Sequence, residues 1–402
     1  MLRSRRTHIL FTVGTVVYLV VLAAAAGLDR PTWGDEGHFV ETVYLFGDEI
    51  STHTLKHYDE MSTPLPFILY ALWGRLVGFE LERLRLLSLL LAVTTYILLY
   101  LFFSKLLGAG RAALLAAAFV IVHPYMIGFS LFVFTDMCAI MFMLAACLAL
   151  HRGRPIWFAF MLAGALLCRQ YLAFMSVALL VVYAAQWYHR KSPMPPAMLT
   201  ATVLSALPLA LLFLFWGDVH PDNLRKQLYL TESFRFHPSA CTLYISQLFW
   251  FLLPVLLIRR RHLYRDRRLW LAAAVVSLCY FLFPVNASAP ALEAGVETVG
   301  LMHRALLFLF GESWLTSAVF FVGFLFGLPP VFLVGRDAYH GLVRRRLDIA
   351  LFLDVCILSF LILMPWSYLY WEKYFMPLLP LATARFLMPF SIVPQDTQAE
   401  RS

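Results

Sequence analysis

Apolar runs of about 20 residues recur along almost the whole chain, separated by short clusters of Lys and Arg. One bilayer crossing takes about that many residues, because a helix rises about 1.5 Å per residue and the hydrocarbon core is roughly 30 Å thick. A chain built this way buries its apolar surface in lipid. The first run, HILFTVGTVVYLVVLAAAAGL at 8–28, exceeds the roughly 7–15 apolar residues of a signal peptide and is expected to stay as the first span. Composition agrees: 61% of the 402 residues are hydrophobic and 14% charged, where a soluble domain has about 45–50% and 25%. The expected fold is all-α and polytopic, with about 11–13 transmembrane helices. They form one multi-pass domain over 1–392, followed by a short cytoplasmic tail at 393–402.

Basic residues resist translocation and collect on the cytoplasmic side. Arg3, Arg5 and Arg6 therefore place the N-terminus inside. Spans are expected at 8–27, 82–104, 112–124, 136–150, 197–216, 242–258, 269–284, 314–334, 348–365 and 374–392, with two short helices within 156–187. This order puts each basic cluster on one side: Lys105 with Arg111, His151 to Arg154, His189 to Lys191, the run RRRHLYRDRR at 259–268, and Arg336 with Arg344, Arg345 and Arg346. The C-terminus also falls inside. The stretch 125–134 is expected at the outer interface, and Arg169-Gln170 near the outer surface. An external loop carries Glu293, Glu297, His303 and Arg304. The net charge of +8 thus has a topological cause, and nothing points to nucleic acid. Six cysteines without a CxxC pair argue against a disulfide framework or a zinc site. The sequon Asn286-Ala287-Ser288 is short enough to arise by chance and carries no weight.

The first external segment, 28–81, is where chemistry concentrates. Residues 28–63 hold eight of the 24 acids (Asp29, Asp35, Glu36, Glu41, Asp48, Glu49, Asp59 and Glu60) and three histidines, His38, His53 and His57. Glu41, Asp48, Glu49 and Glu60 read as ordinary solvated acids. Asp35 and Glu36 follow Pro31-Thr32-Trp33-Gly34 at the membrane exit of the first span. A carboxylate partly shielded from water there is suited to general-base work, and also to a hard cation. His53 and His57 share a helical face at i,i+4, a weak zinc pattern without further ligands. Within residues 58–79, Pro64 and Pro66 follow a polar patch and open a segment that reads as an interfacial amphipathic helix bearing Trp73 and Arg75.

These residues resemble the GT-C glycosyltransferases, polytopic enzymes that take a sugar from a polyprenyl-phosphate carrier. The Asp35-Glu36 pair, the amphipathic segment after Pro64 and the span starting Arg83-Leu84-Arg85 resemble the protein O-mannosyltransferase and aminoarabinose transferase branch and the RgtA/B/C/D-like proteins. The nearest resemblance is to the dolichyl-phosphate-glucose α-1,2-glucosyltransferases. It rests on Asp35-Glu36-Gly37-His38, Tyr58-Asp59 before Thr63-Pro64, Phe134-Thr135-Asp136, Arg169-Gln170, and Trp371-Glu372-Lys373-Tyr374 before Pro377. Departures are His38 one residue nearer to the pair, Leu65 between the prolines, Tyr171-Leu172 in place of Thr-Asn, and Met302-His303-Arg304 as a weak echo of a late basic motif.

The resemblance implies transfer of a hexose, glucose favoured, from a polyprenyl- or dolichyl-phosphate carrier to a glycan, lipid or protein acceptor, with inversion at the anomeric carbon. It implies action at the external or lumenal face and no cofactor or metal. Asp35 is the expected base, with Glu36 its neighbour or substitute. His38, Asp59, Asp136, Arg169, Gln170, Arg304 and Lys373 are expected on the substrate or carrier phosphate. For Asp136 a helix N-cap, and for Arg169 snorkelling to the interface, are the structural alternatives. Glu372 reads as a partner of Lys373. A transporter or lipid-linked-sugar flippase competes, as does a scaffold, but no internal repeat supports a transporter. The compact length favours a bacterial plasma membrane over the endoplasmic reticulum.

Overall fold

A computed structural model describes residues 2–108, 110–188, 196–222, 236–288, 291–292, 295–344, 348–367 and 369–390. Glu293, His189 to Lys191, Arg345, Arg346 and the tail 393–402 lie outside the described residues. The regular structure is helical: α1 (Leu2–Ala26), α2 (Glu36–Asp48), α3 (Thr52–His57), α4 (Leu65–Val77), α5 (Leu81–Leu107), α6 (Arg111–Ile121), α7 (Pro124–Leu131), α8 (Thr135–His151), α9 (Pro155–Cys168), α10 (Ala173–Tyr188), α11 (Pro196–Trp216), α12 (Pro238–Ile258), α13 (Arg267–Ser277), α14 (Leu301–Phe310), α15 (Trp314–Val343), α16 (Ile349–Leu363) and α17 (Leu378–Leu387).

Among the described residues, seven helices are long and apolar enough to cross a membrane, or eight if the bent pair α6–α7 is one span. The remaining expected spans are shorter apolar helices of 10–17 residues, among them α8, α9 and α17. At 17 residues α8 is about 25 Å long, yet most of its side chains are buried against neighbours. A helix enclosed by protein has no need to match the full lipid thickness. The stretch expected at 269–284 divides into α13 and a short turn at Cys279–Leu282. Within the stretch 125–134, α7 turns 70° from α6, and Met126, Phe129 and Phe134 are buried against neighbouring elements. His123 and Pro124 mark the turn, with Pro124 filling the first position of α7, where no N–H is needed.

Small residues set the tightest packing. A Cβ on Gly327 of α15 would lie 2.3 Å from the Ile245 carbonyl oxygen of α12, so glycine permits the close approach of these two helices.

Contacts sort the helix ends into two groups. At one end Arg85 of α5 bonds to the loop after α1, Trp216 of α11 donates to Leu55 (2.7 Å), and His237 donates its N–H to Pro365 (2.8 Å). At the other end Arg336 pairs with Asp266 (2.6 Å) and Arg259 reaches Met388. The basic residues around 259–268 belong to this second group. So does an ion cluster in which Arg385 of α17 binds Asp354 of α16 (2.6 Å) and Asp337 of α15, all three buried. It ties three helices together at the end away from the cavity described next.

Candidate active site

The first group of ends surrounds a cavity of about 960 Å³. Asp35, His38, Glu60, Arg169, Arg304 and Lys373 all line it, so residues far apart in sequence meet in one place.

The loop carrying Asp35 is held from below by Arg85. Its guanidinium donates to the carbonyls of Leu28 (2.8 Å), Arg30 (2.7 Å) and Pro31 (3.2 Å) and to both oxygens of Glu36 (2.9 and 2.6 Å). Glu36 also accepts the N–H groups of Trp33 (3.2 Å) and Val133 (2.9 Å). An ionised carboxylate has about four acceptor sites. Those of Glu36 are all taken, and the side chain is fully buried without lining the cavity. This corrects the expectation of Glu36 as a catalytic residue: it is an anchor. Arg85, which the sequence shows only inside a family-like string, is its partner.

Asp35, the residue before Glu36, faces the cavity and pairs with Lys373, which reaches it from the segment before α17. Two short turns, Met364–Trp366 and Glu372–Phe375, interrupt the end of the chain and carry Lys373 inward. The Lys373 ammonium holds the Asp35 carboxyl well below the usual carboxylate range, outweighing burial, with His38 assisting. Burial works against the Lys373 charge, and Asp35 more than offsets it. The folded value for Asp35 lies below the unfolded one of about 3.9. The pairing therefore adds stability above that pH and loses it as pH falls through the lower folded value. The expected result is a pH–rate profile whose kcat/KM shows no acid limb from Asp35 above about pH 4. Lys373→Met should bring that limb up into the measurable range.

His38 lies between two acids. Its Nδ1 meets Glu60, and its Nε2 is 3.8 Å from Asp35. Glu60 is buried and lines the cavity, whereas Asp59 is exposed and does not. This corrects two expectations: Glu60 is not a solvated acid, and Asp59 is not at the site. The backbone leaves α3 extended at Tyr58 and bends at Asp59. Tyr58 and Glu60 turn inward and Asp59 outward.

Asp136 is fully buried in the first turn of α8 and accepts from Arg169 (2.6 Å). The residue before α8 is Phe134, so Asp136 is not the cap. Arg169 does not snorkel either: α9 ends there in extended backbone, and the side chain turns in. Its guanidinium lies 6.0 Å from the Tyr374 ring and lines both the main cavity and an adjoining, largely apolar one of about 270 Å³. Gln170 lines the smaller cavity and donates to the Met61 carbonyl (2.8 Å).

Arg304 is exposed on the cavity rim. The sequence suggests Glu372 as a partner of Lys373, and the structure corrects this: the two side chains do not pair. The Glu372 carboxylate instead accepts from the start of α14. The rings of His53 and His57 lie 4.8 Å apart and tilted on α3, away from the cavity lining.

Comparison with known proteins adds the following. Residues 61–216 match the family model described as dolichyl-phosphate-mannose-protein mannosyltransferase. That range holds Arg85, Asp136 and Arg169 and leaves out Asp35, His38 and Lys373. No curated protein sequence matches the chain. Among solved structures, the crystal structure of ArnT from Cupriavidus metallidurans bound to undecaprenyl phosphate is 15% identical, with a TM-score of 0.42 over 93% of this chain and 76% of that one. The apo form of the same protein gives 15% identity and a TM-score of 0.41, over 94% and 76%.

Proposed function

We propose that this chain is a membrane glycosyltransferase that moves a sugar from a polyprenyl-phosphate carrier to an acceptor hydroxyl on the non-cytoplasmic side. The carrying observation is the Asp35–Lys373 pair in a large cavity, with Arg169 on the same wall. A partial match to a dolichyl-phosphate-mannose-dependent family supports the reaction class. The side follows from the basic turns at the opposite end of the helices, since basic loops stay in the cytoplasm. A hexose, with glucose favoured by the family-like motifs, is the sugar of this proposal, and a bacterial plasma membrane its setting.

The reaction needs a base and a cation clamp. Asp35 takes the acceptor hydroxyl proton. The acceptor oxygen then forms a bond to the anomeric carbon, and the bond from that carbon to phosphate oxygen breaks. Its electron pair leaves with polyprenyl phosphate, and the anomeric centre inverts. Negative charge grows on the departing phosphate, where Arg169 and Lys373 stabilise it; preorganised charge of this kind is a large catalytic term. Asp136 holds the Arg169 fork ready. Lys373 has two claims on it. In the empty cavity it neutralises Asp35; an arriving phosphate takes the ammonium and leaves Asp35 more basic. Donor binding thereby turns on the base. The smaller apolar cavity behind Arg169 offers room for the first isoprene units.

The test uses the full chain in nanodiscs with a panel of polyprenyl-phosphate sugars, reading release of polyprenyl phosphate by mass spectrometry. Comparing lipids and glycans of a deletion strain names the acceptor. Arg169→Gln should lower turnover by about 10²–10³, the usual cost of one charge-stabilising donor. If no carrier-linked sugar is consumed and the deletion strain keeps every glycan, the proposal fails.

A further inference from the structure

Glu372 is fully buried and does not line the cavity, yet its carboxylate accepts three hydrogen bonds beside it. Its carboxylate accepts the N–H groups of Met302 (2.8 Å) and His303 (2.8 Å) and the hydroxyl of Tyr125 (3.0 Å). That hydroxyl in turn accepts the N–H of Leu301 (2.7 Å). The backbone N–H of Glu372 donates to the Val299 carbonyl (2.8 Å). Gly300 makes the approach possible: a Cβ there would stand 2.6 Å from Glu372 carbon atoms and 2.3 Å from the Tyr125 hydroxyl.

Helix N-termini leave their first N–H groups without intrahelical partners, and the helix dipole favours negative charge there. In α14 three of these groups go to Glu372 and to the tyrosine it holds. A buried carboxylate is costly unless hydrogen-bonded, so this set of donors is a designed seat. The neighbours give it meaning. Arg304 directly follows His303, Lys373 directly follows Glu372, and both cations line the cavity.

We infer that Glu372 is a positioning residue: it latches the first turn of α14 to the segment 371–374, so that Arg304 and Lys373 are presented to one ligand as a fixed pair of cations. The ligand, a carrier phosphate, rests on the proposed function; the latch itself does not. A phosphate bridged by two cations needs them at a set separation. The Lys373 side chain reaches across the cavity to Asp35, and Arg304 sits on the rim. Without the latch, the two would move independently.

The experiment is hydrogen exchange on the full chain in nanodiscs, paired with undecaprenyl phosphate binding and donor kinetics. Glu372→Gln keeps the size and loses an acceptor oxygen. The expected result is faster exchange at residues 301–304 with α12 and α16 unchanged. The donor KM and the Kd for undecaprenyl phosphate should rise about tenfold or more, since small misplacements of binding groups are expensive, with the acceptor KM unchanged. Unchanged protection at 301–304 would overturn the latch. So would faster exchange across the whole bundle with donor KM intact, which marks a general structural role. Should Glu372→Gln fail to fold, Tyr125→Phe removes one arm of the seat. Protection retained at 301–304 in that variant counts against the inference. A wild-type chain that binds no polyprenyl phosphate ends the proposed function, while the exchange result still decides the latch.

Discussion

Asp35→Asn should lower turnover by about 10²–10⁴, the range a positioned general base supplies, while polyprenyl phosphate binds at least as well as to the wild type. The two effects come from one change. Asparagine keeps the shape of the side chain but cannot take the acceptor proton. It also removes the charge that competes for Lys373 in the empty cavity, so the ammonium is free for phosphate. Binding of undecaprenyl phosphate to the variant and single-turnover rates with the carrier-linked sugar separate them. Near-normal turnover would remove Asp35 from the role of base. Weaker phosphate binding would refute the exchange of Lys373 between Asp35 and the ligand. Asp59, exposed and off the cavity, serves as the contrast: Asp59→Asn should leave both quantities near wild type.

Arg85→Leu should cost about 3–5 kcal/mol of stability, the usual penalty for leaving one partner of a buried ion pair alone. The side chains of Arg85 and Glu36 are 1% and 0% exposed, so water cannot replace the lost guanidinium. Three carbonyls, those of Leu28, Arg30 and Pro31, lose their donor at the same time. Melting of the variant in detergent measures the loss. The double variant Arg85→Leu with Glu36→Leu should recover part of it, because two apolar side chains leave no uncompensated charge. It should not recover activity, since the loop that aims Asp35 loses its fastening. A single variant as stable as the wild type would show that the pair is replaceable.

The helical, polytopic fold was legible because lipid imposes one pattern on every span, and basic punctuation orders the turns. Asp35, His38, Arg169 and Lys373, singled out by their company in short motifs, line one cavity. What stayed hidden depends on tertiary direction. Asp59 and Glu60 are neighbours, and only the path of the backbone after α3 decides which one is buried. Glu36 and Arg85 are 49 residues apart, so no local pattern joins them; a charged residue one turn into an apolar helix was the available hint. The buried cluster of Arg385, Asp337 and Asp354 left the same trace, single charges inside apolar runs. That α8, α9 and α17 are apolar helices of only 10–17 residues was hidden for a related reason. Hydropathy reports apolar length, and it does not distinguish a helix facing lipid from one enclosed by protein.

The pair of Asp35 and Lys373 links positions 338 residues apart, which has a consequence for biosynthesis. The base emerges from the ribosome among the first segments and its cation among the last. Tyr125 and Glu372, 247 residues apart, impose the same delay on the wall between them. A chain still being threaded into the bilayer therefore has a carboxylate, an anchor and part of a cavity, and no complete phosphate clamp. On the proposed function, catalysis would be the final property acquired during insertion, and a prematurely terminated chain would be an inert membrane protein instead of a careless enzyme.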